Sequence, residues 1–175
     1  ARLIAVVNSG PLPSPSATIA PSPSAVPDFN DDELDLLAHV PTVVQAGCAS
    51  VDTIYASEID SVRCVNEGQP DIDYTSFANA KDMADELATD KDLAETTPTA
   101  KGTCSKANYE DTYTIDGNDA GTIRCMVVTG QKTGTKYKVI EWTNDKLLIL
   151  SYMSSSTMAW DDLISFWQSS AGPLE

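Results

Sequence analysis

Thr122-Ile123-Arg124-Cys125-Met126-Val127-Val128, a turn region holding Gly130 and Gly134, Tyr137-Lys138-Val139-Ile140-Glu141-Trp142-Thr143, and, past Asn144-Asp145, Leu147-Leu148-Ile149-Leu150-Ser151-Tyr152-Met153 form the stretch that decides the fold. β-branched and aromatic residues crowd three runs of strand length, and each break between them carries the Gly, Asn or Asp that tight turns use. The spacing predicts a strand over 122–128 and a hairpin of 137–143 with 147–153. Upstream, Tyr109, Tyr113 and Ile115 alternate with polar residues up to Asp116-Gly117-Asn118-Asp119, so a further strand pairs with 122–128 across that turn. Downstream, Trp160, Leu163, Ile164 and Trp167 recur at helical spacing, and Gly172-Pro173 closes the helix.

Toward the start, Ser61-Val62-Arg63-Cys64-Val65 and Ile72-Asp73-Tyr74-Thr75 predict another hairpin, joined by turn formers between Asn66 and Pro70. Ala80, Met83, Ala84 and Leu87 then follow at amphipathic-helix spacing behind Asn79 as cap, with Thr89 to Thr103 as a polar loop. Asn30 and Glu33 have capping-box spacing, and Phe29 with Leu34 is spaced as a hydrophobic staple, so a helix runs to Val40 and stops at Pro41. Its apolar stripe is read as Leu34, Leu37 and Val40. Pro41 opens a short second helix, Thr42 to Ala46, ended by Gly47. Together these elements define one α+β domain over 28–173, an antiparallel sheet of about five to six strands with helices packed on it. Residues 1–27 interleave six prolines with serines, the composition of an extended spacer, and 174–175 read as a cloning remnant.

The two halves echo each other. Ser61-Val62-Arg63-Cys64-Val65 matches Thr122-Ile123-Arg124-Cys125-Met126, and Ile72-Asp73-Tyr74-Thr75 matches Ile140-Glu141-Trp142-Thr143. Each pair is followed by a helix, directly in the first half and after one more strand in the second, which outlines an internal ββα pseudo-repeat. Equivalent halves would each carry one upstream cysteine and one strand cysteine, implying disulfides Cys48 with Cys64 and Cys104 with Cys125. The four cysteines contain no Cys-x-x-Cys pair and His39 is the only histidine, which argues against zinc. Two disulfides in an exported domain is the favoured reading, and four buried thiols in a cytosolic one the alternative.

At 175 residues the chain is about one domain long. Its 11 Lys and Arg against 26 Asp and Glu give a net charge of −15, a surface that repels phosphate backbones and excludes nucleic acid as a partner. The charge is uneven, with 19 acids and 5 bases over residues 28–112 against 7 and 5 over 113–175. A solvated face that keeps an exported domain soluble accounts for the acidic half, and a surface for a basic partner is the other reading. Leu3 to Val7 is far shorter than the ~20 residues that cross a bilayer and reads as the stump of a deleted span.

Leu36-Leu37-Ala38-His39-Val40-Pro41 with Cys48 seven residues on, Arg63-Cys64, Tyr74-Thr75-Ser76-Phe77, Cys104, Tyr113 to Cys125, Trp142-Thr143-Asn144-Asp145-Lys146-Leu147-Leu148-Ile149, and Phe166-Trp167 before Gly172-Pro173 form an ordered series. It resembles the domain that follows the membrane span of many actinobacterial serine/threonine protein kinases and related exported proteins. The resemblance covers roughly Asp32 to Pro173 and rests on the order of these motifs together with the four cysteines. It implies an extracytoplasmic module on a proline-rich stalk, with a kinase across the membrane in many relatives. No glycine-rich loop, catalytic loop or magnesium-binding motif of a kinase occurs in this sequence, so no phosphoryl-transfer residue is carried over.

No catalytic or metal-binding motif in the sequence is complete. His39, near a helix C-terminus, is explained by favourable contact with the helix dipole rather than by a catalytic triad. Asp31-Asp32-Glu33-Asp35 and Asp161-Asp162 read as acidic first turns of helices. Asp28, Asn30 and Asp32 begin like an EF-hand loop, but Glu33 stands at the glycine position and His39 at the bidentate glutamate position. Asp116 and Asn118 fail likewise, with Ala120 and Val127 at ligand positions. No catalytic residue, metal ligand or cofactor is therefore assigned.

One surface is singled out. If Ile123, Cys125, Ile140 and Trp142 face the helices, alternation puts Met126, Val128, Tyr137 and Val139 on the opposite face, which is then apolar too. The expectation is that the Asp31–Val40 helix covers them; left exposed, they are the candidate recognition surface for a partner or for a second copy in a homodimer. The expected function is a non-catalytic sensor or interaction module at the outer face of the membrane or in the cell envelope, meeting an extracellular ligand or envelope component. A secreted or lipid-anchored binding protein without a kinase and a small acidic hydrolase are the alternatives.

Overall fold

The computed structural model describes residues 29–172; the spacer and the terminal dipeptide lie outside the described residues. Asn30 caps α1 (Asp31–His39) through a complete capping box: its side chain accepts from Glu33 N–H at 2.8 Å while Glu33 accepts from Asn30 N–H at 2.8 Å. That reciprocal bond, with a second one from Ser50 Oγ, draws Glu33 inward. The buried stripe is consequently Glu33, Leu36 and Val40 with Leu37 half-buried beside it; of the expected Leu34-Leu37-Val40 stripe Leu34 alone, 52% exposed, turns outward, its place taken by Glu33. The helix α2 (Thr42–Gln45) follows Pro41.

Seven strands form one sheet in the order β1-β2-β3-β7-β6-β5-β4, every neighbouring pair antiparallel: β1 (Cys48–Val51), β2 (Glu58–Cys64), β3 (Asp71–Phe77), β4 (Asn108–Ile115), β5 (Asn118–Thr129), β6 (Lys136–Asn144) and β7 (Ile149–Ser155). The strand beyond the expected number is β1, an edge strand whose Cys48 lies opposite Cys64. Asp116 and Gly117, both at positive φ (51° and 80°), make the two-residue turn from β4 to β5. The helix α3 (Ala80–Lys91), capped by Asn79, leaves β3, and α4 (Trp160–Phe166) continues as a π-helical turn over Trp167–Ala171.

Both disulfides pair as the repeat implies, Cys48–Cys64 and Cys104–Cys125, and fit folding in an oxidising compartment. The repeat is present in register: Cys64–Ile72–Met153–Ile140–Cys125 and Val62–Tyr74–Ser151–Trp142–Ile123 run across the sheet as rows that read alike from either side of β7. β3 and β6 run in the same direction, so only rotation about the β7 axis exchanges the hairpins, and that rotation swaps the sheet's faces. Cys64 and Cys125 nevertheless share a face. The likeness is one of side-chain order, not of rigid superposition.

That shared face carries the main core. Leu36, Val40, Val44 and Leu163 from the helices pack with Val62, Ile72, Tyr74, Ile140, Trp142 and Met153. Trp142 meets Tyr74 and Trp167 edge-on at 6.1 and 6.2 Å, and Tyr74 Oη donates to Ala171 O at 3.0 Å, fastening the C-terminal turn to the sheet. On the second face Phe77, Leu150 and Met83 form a smaller core under α3.

Candidate functional site

Alternation along β2, β3, β7, β6 and β5 puts one polar row on the second face: Arg63, Asp73, Tyr152, Glu141 and Arg124, with Glu110 of β4 beyond it. At one end Arg63 is held by Asp73 through a bidentate pair of 2.6 and 3.0 Å. At the other, Arg124 is wholly enclosed by Glu110 (2.7 Å), Glu141 (2.7 Å) and the Leu87 carbonyl of α3 (2.7 Å), while Lys91 reaches Glu110 at 2.6 Å. These bonds bind the C-terminal end of α3 over β5 and β6. The chain then runs along the edge of β5, with Ala94 bridging Val128 and Glu95 N–H donating to Val127 O at 2.9 Å.

This arrangement settles where the four singled-out residues lie. Met126 and Val139 are wholly buried, and Val128 and Tyr137 are half-buried. The cover is α3 and the segment after it; α1 packs on the main core face, a correction to its expected place. Helical periodicity shows that α1 has an apolar stripe but not which face of the sheet receives it.

α3 packs on β3 and β7 through Met83, Phe77 and Leu150, and its C-terminal end is bonded to Arg124 of β5, which leaves the Ser61–Arg63 part of β2 and Asp73 and Thr75 of β3 uncovered. There a cleft of about 490 Å³ lies between α3 and the loop preceding β2. Its floor is Ser61, Arg63, Asp73, Thr75, Leu150 and Tyr152; α3 contributes Glu86, Asp90 and, just past its end, Leu93; the facing loop contributes Ile54, Tyr55 and Glu58. Glu58 shapes that loop by accepting from the Ile54 and Tyr55 amides at 2.5 and 3.2 Å. A volume of this size is that of a small-molecule site.

The electrostatics are those of crowded carboxylates. Burial, then Asp90 and Glu58, push Glu86 up to about 7. Its charge raises the Tyr55 hydroxyl across the cleft. Burial raises Asp90 against the opposing effects of its hydrogen bond to Glu141 and the charge of Arg124. Glu141, wholly buried, is pushed well above the carboxylate range by burial and by Asp90, and its Oε1 has no donor. The hydrogen bond between the two carboxyls lowers Asp90 and raises Glu141, while Glu141 Oε2 accepts from Arg124. Lys91 and Arg124 thus face three carboxyls here, those of Glu110, Asp90 and Glu141. Burial pushes Glu110 up, but Lys91 and Arg124 outweigh it and hold its carboxyl below the usual range.

Sequence reasoning missed the cleft. Asp82, Glu86 and Asp90 do recur every fourth residue along one flank of the Met83–Leu87 stripe of α3, the one available signal. His39 lies across the molecule in a shallow groove with Asp35, Ile59 and Leu147. Among the described residues no group of three or more His, Cys, Asp or Glu is placed to hold a metal ion, and no helix is long and apolar enough to cross a membrane. No protein-family model, curated protein or solved structure matches the chain.

Proposed function

We propose that the chain is a non-catalytic extracytoplasmic binding module, the sensor domain of a membrane-anchored serine/threonine protein kinase, with the cleft between α3 and the Ile54–Glu58 loop as its ligand site. The observation that carries the binding reading is the cleft itself, an open, partly apolar cavity whose floor is a rigid sheet. The disulfides support an extracytoplasmic setting, and the ordered motifs of the kinase-linked domain support the tether. Amide shift mapping of the isotopically labelled chain with a mixed fragment library tests it. Perturbations gathered at Tyr55, Glu86, Leu93 and Tyr152 are expected; fragments that shift residues everywhere but there would refute it.

A small acidic hydrolase is the second reading, favoured by one feature: Glu86 is held near 7, where a general acid operates, facing Glu58. Hydrolysis of chromogenic glycosides between pH 5 and 7 that vanishes in Glu86→Gln would establish it; no turnover is the outcome the binding reading expects.

A further inference from the structure

The lining of the cleft defines the chemistry of what it takes, on the reading that the cleft is the ligand site. Asp52, Glu58, Glu86 and Asp90 all face it, and none is in an ion pair among the described residues. The one cation in the lining, Arg63, is paired with Asp73, whose charge offsets its own. Behind Asp90 stands Glu141, wholly buried and hydrogen-bonded to it. At the mouth Ile54 (80% exposed), Leu93 (47%) and Tyr55 (40%) hold apolar surface in solvent, and Tyr152 offers a ring on the floor. An anion entering this space meets uncompensated negative charge, and a neutral apolar molecule strips water from carboxylates without replacing it. A cation with an apolar part does neither. Its head neutralises the carboxylates and stacks on tyrosine, and its tail covers the exposed aliphatic rim.

We propose that the cleft binds an organic ammonium ion with an apolar body, the head lodged between Tyr55 and the Glu86–Asp90 flank of α3 and the tail against Ile54 and Leu93. The groups facing that head are Asp52, Tyr55 and Glu58 from the loop side, Arg63 and Asp73 on the floor strands, Tyr152 on β7, Glu86 and Asp90 on α3, with Glu141 and Arg124 beneath. A cation among them favours the ionised forms, so binding expels a proton from Glu86 to the buffer around neutral pH, where that group is half-protonated. Affinity therefore falls as the pH drops below about 7.

Titration calorimetry of the whole chain with octylamine, octanol and octanoate, read alongside amide shift mapping, tests the proposal. Octylamine is expected to bind with shifts centred on Tyr55, Asp90 and Leu93, more tightly at pH 8 than at pH 6, with an apparent enthalpy that follows the ionisation enthalpy of the buffer. Glu86→Gln and Asp90→Asn, alone and together, should weaken it by about tenfold or more, whereas Asp85→Asn, on the same helix but outside the lining, should not. Octanol or octanoate binding the cleft as tightly as octylamine would overturn the ammonium assignment and leave the cleft a ligand site. Octylamine shifts elsewhere, or none, would also overturn it, and a cleft silent to all three probes and to the fragment library would take the binding reading down with it.

Discussion

Glu141→Gln tests whether the proton between Asp90 and Glu141 rests on Glu141, the direction in which their hydrogen bond shifts the two carboxyls. Glu141 Oε2 accepts from Arg124 Nη1 at 2.7 Å, and the other oxygen, without any donor, meets Asp90. If Glu141 carries the proton, glutamine preserves both bonds: its carbonyl accepts from Arg124, its amide donates to Asp90, and the charge does not change. The cost is then under about 1 kcal/mol, the scale of one adjusted hydrogen bond. If Glu141 were ionised, the same change would strip Arg124 of a wholly buried partner and cost about 3–5 kcal/mol. The pH dependence adds a second check. Because the folded-state value is raised above the ordinary 4.5, the folded chain holds one more proton than the unfolded chain between those two values. Stability contributed by Glu141 is therefore lost as pH rises through that window, by about 1.4 kcal/mol per pH unit. The variant lacks this loss, so its stability relative to the natural chain should improve steadily above pH 5 in urea unfolding at matched ionic strength. A cost above about 3 kcal/mol at pH 7 with an unchanged pH slope would refute the proton's place on Glu141. Arg124→Met, which leaves the buried Asp90–Glu141 pair without its cation and Glu110 with Lys91 alone, should cost about 3–5 kcal/mol.

Replacing Cys48 and Cys64 together, or Cys104 and Cys125 together, by alanine should lower stability by about 3 kcal/mol each in the chain-entropy estimate, since the bridges close similar separations of 16 and 21 residues; equilibrium unfolding that finds either pair neutral contradicts this. Glu86→Gln should leave stability unchanged near pH 4 and raise it by less than about 1 kcal/mol at pH 8, because a raised carboxyl costs the fold more as pH climbs from 4.5 to about 7 and this one is largely solvent-screened. Gly121→Ala sets a methyl 2.1 Å from the Thr143 carbonyl oxygen of the neighbouring strand, so thermal melts should report a loss of about 1–3 kcal/mol.

The hairpins were legible because their signals are local. Asp116-Gly117 sits between two alternating runs, and each strand from β2 to β7 overlaps one of those runs closely. The edge strand β1 was not, since Cys-Ala-Ser-Val has no alternation long enough to read and lies beside β2 through a disulfide and a register that only the folded chain displays. Likewise α1 was placed by its cap, and Leu37 and Val40 face the core as read, but Leu34 does not, because Glu33 counts as polar in any periodicity yet is buried by its bonds to Asn30 and Ser50. The cysteine pairing emerged from a likeness between halves that holds in register though no rotation superposes them. The cleft was illegible for a different reason: Tyr55, Glu86, Asp90 and Tyr152 come from a loop, a helix and a strand far apart in sequence, brought together only when α3 is bonded to Arg124 over the sheet.

A crystal structure of the full chain grown with octylamine at pH 8 addresses the central claim most directly. The account predicts the ammonium nitrogen within hydrogen-bonding distance of Glu86 or Asp90, beside the Tyr55 ring, with the alkyl chain along Ile54 and Leu93. An empty cleft with the amine bound elsewhere, or an alkyl chain in the cleft with its nitrogen turned out to solvent, would contradict it.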